Sequence, residues 1–228
     1  MVCSELEASL KPQGNKEKIV ILVWEFEWFP ETSETCLDPP LPYTTAYFGL
    51  LRASEFCCPT KSTFSPSSSL LVEDVKLNTN SITVTLKVSK SDPYRNGHQI
   101  RFTRTGKSIC PYRALQKHIE NCLDTGKPLF AFYSGKFLTR QLFTSIPNDL
   151  LRPTSFAEKY SSHSFRIGAA TAAASSETPE WLLKHIGRWS SSCYQRYIRT
   201  PEQAIRMVQK KLATSQVAIW ILFVSKLC

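Results

Sequence analysis

Residues 160–176 read YSSHSFRIGAATAAASS, and the reading of this stretch decides the architecture of the chain. Ser161 and Ser162 are natural helix caps, and the alanine-rich run behind them propagates a helix. On that helix His163 and Arg166 fall on one face about a turn apart, so an imidazole and a guanidinium can converge on one group. The amino-terminal end of a helix adds a field that favours an anion, and a phosphate suits it. Gly168, Ala169, Ala170, Ala172, Ala173 and Ala174 carry so little side chain that other elements can approach the helix closely. By itself the His-x-x-Arg pair is a weak signal, because a hydrogen-bonded core histidine and a surface ion-pair arginine give the same letters.

Working outward, the segments after this helix, PEWLLKHIG, SSCYQRYIR and PEQAIRMVQKKLA, are helical in pattern. So are YRALQKHIENCL and TRQLFTSIPNDLL before it. Further upstream SLLVEDVKL, SITVTLKVS and HQIRFTR alternate β-branched with polar residues, and the turn compositions NTN and SDPYRNG separate them. These predict a three-stranded antiparallel sheet. Ahead of the sheet YTTAYFGLLRASEF, from Tyr43, reads as one apolar helix with a single arginine near its end. The expected fold is therefore α+β, one mainly helical domain over about 43–213 with a small early sheet. Residues 1–42, with the apolar run IVILVWEFEWF and the Pro-rich PETSETCLDPPLP, and residues 214–228, with VAIWILFV, do not share its pattern.

The bulk properties narrow the function. The 228 residues are 42% hydrophobic and 21% charged, an ordinary globular mixture. Lys plus Arg number 28 against 19 acidic residues, a net charge of +9, so the field draws the protein toward a polyanion, nucleic acid first among them. The eight cysteines fall into no CxxC or Cys/His zinc spacing, which predicts neither a disulfide framework nor a metal site. The start MVCSELEASLKPQGNKEK lacks the form of a secretory signal, and the apolar tail is too short to cross a bilayer. An intracellular, non-membrane protein is expected.

Three further segments carry the residue types that a phosphate-handling His-x-x-Arg would need. GLLRASEF places Arg52 at the end of an apolar helix. KVSKSDPYRNG puts Lys87 and Lys90 at the turn between two strands, and HIGRWSSSCYQRYIR offers Trp189, Tyr194 and Tyr197. In this order, arginine, lysine, His-x-x-Arg, tryptophan and tyrosine resemble the catalytic domain of the tyrosine recombinases, the phage-integrase-like family. The segments SHSFRIGAATAAA and GRWSSSCYQRYIRTP are similar to those of DIRS-like and Ngaro-like retroelement recombinases. The resemblance runs from about Tyr43 to about Ala213 and is most specific over 161–201.

What the resemblance implies is DNA strand breakage and rejoining through a 3′-phosphotyrosyl link, with no metal, ATP or other cofactor. Arg52 and Arg166 would hold the phosphate, and His163 would take the tyrosine proton or steady an oxygen. Lys90, matching the family's lysine-bearing turn, would protonate the leaving 5′ oxygen, with Lys87 as runner-up. Trp189 would pack the site or donate its indole N–H, although a strict count from Gly187 lands on Arg188. Tyr197, ten residues after Gly187, would be the nucleophile and Tyr194 a packing residue. The chemistry accounts for the types: guanidinium stays charged and donates in pairs, and losing one such donor costs about 2.7–4 kcal/mol of barrier. The implied partner is double-stranded DNA, held by a homo-oligomer in the nucleus or another intracellular DNA compartment. Relatives carry a helical clamp domain ahead of the catalytic one, which residues 1–42 do not match. A non-catalytic DNA-binding remnant and a type IB topoisomerase-like enzyme remain as alternatives at this stage.

Overall fold

The computed structural model describes residues 40–107, 109–122, 124–132, 134–151, 161–198 and 205–210. The expectations for 1–39 and 211–228, and for the flank at Arg199, lie outside them. The first described helix, α1, spans Pro40–Phe48. It begins three residues ahead of the expected start, and Leu41 is wholly buried in the main core. The single helix expected over 43–56 is two: α1 stops, and α2 spans Ala53–Phe56. The break falls at a close approach. A Cβ on Gly49 would lie 2.8 Å from the Thr45 carbonyl and 3.0 Å from the Phe102 ring, so only glycine fits. Leu50 then turns left-handed, φ 46°, at a cost of roughly 1–2 kcal/mol for a non-glycine residue. The Leu51 N–H donates back to Ala46 at 2.9 Å, closing the end of α1.

The sheet is the expected three-stranded antiparallel one, in the order β1 (Val75–Leu77), β2 (Ser81–Leu86), β3 (His98–Thr103). Its first strand is shorter than the pattern suggested, because Val72–Asp74 form a 3-10 turn in which the Asp74 carboxylate accepts from the Leu71 N–H at 2.8 Å. Ile82, Val84 and Leu86 point inward, paired in register with the Phe102, Ile100 and His98 positions of β3. Gln99, Arg101 and Thr103 point outward to solvent. This alternation is the period-2 signal that made the sheet legible.

Helices α3 (Pro111–Glu120), α4 (Arg140–Leu151), α5 (Ser164–Ser175) and α6 (Glu180–Gly187) follow, then a 3-10 helix at Ser192–Tyr197 and a helical stretch at 205–210. No described helix is long and apolar enough to cross a membrane. Two apolar clusters form. The larger joins the inner sheet face to α1, α3 and α4, with Tyr43 stacked on Phe143 at 4.7 Å and tilted against Phe165 at 5.2 Å. Such aromatic pairs add about 0.5–1.5 kcal/mol beyond the area they bury. The smaller gathers Leu50, Ala169, Ala170, Leu183, Trp189 and Tyr194. Here the small face of α5, with Gly168–Thr171 buried, lets α1 and the 3-10 helix close on it. Tyr47 packs against both clusters.

Candidate active site

The bend that interrupts the first helical pattern carries the site. Arg52 is the residue before α2, and Glu55 is the third residue within it. The Glu55 carboxylate is buried and gathers three segments. One oxygen accepts from Arg52 Nη1 at 2.9 Å and from Ser89 Oγ at 2.7 Å; the other accepts from the Arg52 backbone N–H at 2.8 Å and from Arg188 Nη2 at 2.9 Å. Burial raises its pKa, but the Arg188 charge, the Arg52 N–H, the Ser89 hydroxyl and the Arg52 charge together hold it below the ordinary value, so it is ionised. Through Ser89 this carboxylate fixes the turn that bears Lys90, and through Arg188 it fixes the end of α6.

Arg166 is fully buried. Its Nη1 donates to the Leu50 carbonyl and its Nη2 to the Gly187 carbonyl at 2.5 Å, while its Nε has no partner. Its guanidinium lies 4.4 Å over the Trp189 ring and 5.4 Å from the Tyr197 ring. His163 and Arg166 differ in exposure. The two are a turn apart, yet His163 is exposed at the mouth of α5 while Arg166 is drawn inside, because turned-in carbonyls of the α1 bend and of α6 accept its N–H groups. Burial and the nearby Arg52 and Arg188 cations lower the Arg166 pKa from its ordinary value.

His163 feels four cations of this neighbourhood. Burial first, then Arg140, Arg166, Arg52 and Lys90, push its pKa below 6.5. An imidazole so placed is neutral near pH 7 and able to accept a proton. Lys90 is exposed beside it. Lys87 points elsewhere, its Nζ bonded to the Pro66 carbonyl and to Asp74 Oδ2, both at 2.9 Å.

Trp189 and the two tyrosines form the far wall. Gly187 is required there: a Cβ on it would come 1.9 Å from the Trp189 ring. Arg188 turns left-handed, φ 56°, to end α6. Trp189 is buried and its Nε1 finds no partner. Its ring centroid is 5.3 Å from Tyr197 and 6.1 Å from Tyr194. Tyr194 is buried and sits against Lys184, whereas Tyr197 is half-buried and lies beside the Arg166 guanidinium.

Arg52, Lys90, His163, Arg166, Trp189 and Tyr197 are thus brought to one neighbourhood from five segments, with Tyr197 rather than Tyr194 next to Arg166. Three further members carry weight: Glu55, Arg188 and Arg140, whose Nε donates to Ser162 at 3.1 Å. The Arg-x-x-Glu spacing of a helix start was a signal for Glu55, and the position after Gly187 was one for Arg188. Arg140 carried no local signal. The result is a cationic neighbourhood in which Arg52 and Arg188 share one buried carboxylate.

No family model and no curated protein matches the chain. Solved structures do. The XerH site-specific recombinase in a post-cleavage complex with a palindromic difH substrate is 14% identical with a TM-score of 0.63, over 86% of this chain and 52% of that one. XerA recombinase is 16% identical with a TM-score of 0.57, over 88% and 62%. Flpe in a Holliday-junction complex is 15% identical with a TM-score of 0.51, over 93% and 53%. The chain spans about half to three-fifths of the length of these proteins. At such identities the likeness is one of fold, and the fold is that of the tyrosine recombinase catalytic domain.

Proposed function

We propose that this protein breaks and rejoins DNA strands at specific sites through a 3′-phosphotyrosyl intermediate on Tyr197. The observation that carries the reading is the Tyr197 ring 5.4 Å from a guanidinium within a cluster of cations that holds a single carboxylate. Excess positive charge at low dielectric favours a phosphodiester and, more strongly, the doubly charged transition state in which Tyr197 attacks phosphorus. Arg52, part-open, and the exposed Lys90 and His163 contact the phosphate oxygens directly. Arg166 and Arg188 lie behind them and raise the potential. Neutral His163 takes the tyrosine proton as the P–O bond forms, and Lys90 gives a proton to the departing 5′ oxygen as the other P–O bond breaks. The bond energy is kept in the ester, so rejoining reverses these steps without metal or ATP. On this reading the partner is double-stranded DNA, the working form is a multimer on it, and the origin is a mobile element acting in the nucleus.

One observation favours a second reading, a DNA-binding module without turnover: both Nη groups of Arg166 are held by main-chain carbonyls. A nicked suicide duplex that traps the adduct separates the two. The full chain is expected to give a covalent adduct that Tyr197→Phe abolishes with DNA affinity nearly unchanged, while Tyr194→Phe retains measurable adduct. Absence of any adduct from the parent chain selects the second reading, and a nucleotide found on the Tyr194 peptide overturns the assignment.

A further inference from the structure

The loop joining β2 to β3 holds the most exposed aromatic ring among the described residues. Tyr94 is 86% exposed, at a turn tip that follows Pro93. Exposed aromatic side chains occur singly on many surfaces, so exposure alone carries nothing. This one is presented by a braced backbone. The Asp92 N–H donates to Ser89 at 3.0 Å and the Arg95 N–H to Asp92 at 3.3 Å. The buried Asp92 carboxylate accepts from the Gly97 N–H at 2.7 Å. Arg95, φ 54°, and Gly97, φ 79°, are both left-handed, and the tip is turned outward between them and Pro93. The base of the same turn is tied to the active site, where Ser89 donates to Glu55 at 2.7 Å.

Charge identifies the occupant. Between residues 87 and 107 stand Lys87, Lys90, Arg95, Arg101, Arg104 and Lys107, against Asp92 alone, whose carboxylate is turned inward. An aromatic ring held out on a cationic turn suits a polyanion that also offers flat faces for stacking, which is nucleic acid. We infer that Tyr94 is a DNA-contacting residue that packs on a base, or wedges at a base step, close to the phosphate held at Arg52, with Arg95 on the adjoining backbone. Tyr94 stands four positions after Lys90, a reach of at most about 13 Å. At 3.4 Å per step the contact falls within roughly four base pairs of that phosphate. The inference rests on the DNA reading and adds a second point of contact to it.

The test is fluorescence anisotropy of the full chain on a 30-base-pair duplex over a series of salt concentrations. Tyr94→Ala is expected to weaken binding about 5- to 150-fold, the range that stacking on one base implies. The salt slope should stay unchanged, because no phosphate contact is lost. Tyr94→Phe should stay within about twofold of the parent, and Arg95→Ala should lower the slope by about one. Tyr94→Ala binding like the parent overturns the inference and leaves the DNA reading standing. Loss of affinity in Tyr94→Ala together with a changed sedimentation mass also overturns it, by placing a second copy of the chain at the tip. A parent chain that binds no duplex removes both. Circular dichroism confirms that each exposed-site variant is folded.

Discussion

His163 is the residue at which the site's charge is most directly measurable. Burial and the cations Arg140, Arg166, Arg52 and Lys90 all disfavour its protonated form, so its pKa in the folded protein lies below 6.5 and the neutral base persists to lower pH. Adduct formation at sub-saturating DNA, which reports the free protein, should therefore show an acidic limb with its midpoint below 6.5, and His163→Gln should flatten that limb. A midpoint at or above 6.5 would show that the four cations do not act on this imidazole. At this scale sequence reading found residue types better than residue attitudes. The order of Arg52, Lys90, His163, Arg166, Trp189 and Tyr197 along the chain was legible. That Arg166 turns inward was not, since its direction depends on the Leu50 carbonyl 116 positions away. The distinction between Lys87 and Lys90 likewise depends on Asp74 and Pro66, which no spacing rule connects to them.

At the scale of elements, the end of α6 is the joint on which the far wall depends. Gly187 gives its carbonyl to Arg166, and the Trp189 ring occupies the space where its Cβ would stand. Gly187→Ala must displace that ring, and overpacking of this kind costs about 1–3 kcal/mol. Denaturant unfolding of the variant should show a lower midpoint with an unchanged slope, and its tryptophan emission should shift to longer wavelength as Trp189 is pushed toward water. Parent-like emission and stability would mean that the ring is not seated as described. Strands β2 and β3 were read from their alternation because one face of each is buried, and that pattern is local. The split between α1 and α2 was hidden for the opposite reason. GLLRAS is apolar enough to continue a helix, and the close approach that leaves room only for glycine at 49 includes the Phe102 ring, which the sheet brings from far along the chain.

For the whole molecule, the net charge of +9 favours a polyanion as partner. Direct phosphate contact by Arg52, Lys90 and Arg95 alone implies a log–log salt slope of about −2.7 or steeper for duplex binding, since each neutralised phosphate contributes roughly 0.9. Titrations between low and moderate salt measure it, and an affinity indifferent to salt would refute nucleic acid as the partner. The α+β class was legible at this scale because strand and helix periodicities occupy separate stretches of chain, whereas the gathering of three segments by Glu55 is a property of the closed fold alone. The Leu50 carbonyl adds a discriminating property to that closure. That one neutral oxygen accepts both from Arg166 Nη1 and from Arg188 Nη2, so it seats two cations side by side. The bend that strains Leu50 thus holds two like charges in mutual repulsion, a tension that an entering anion relieves and an uncharged visitor does not.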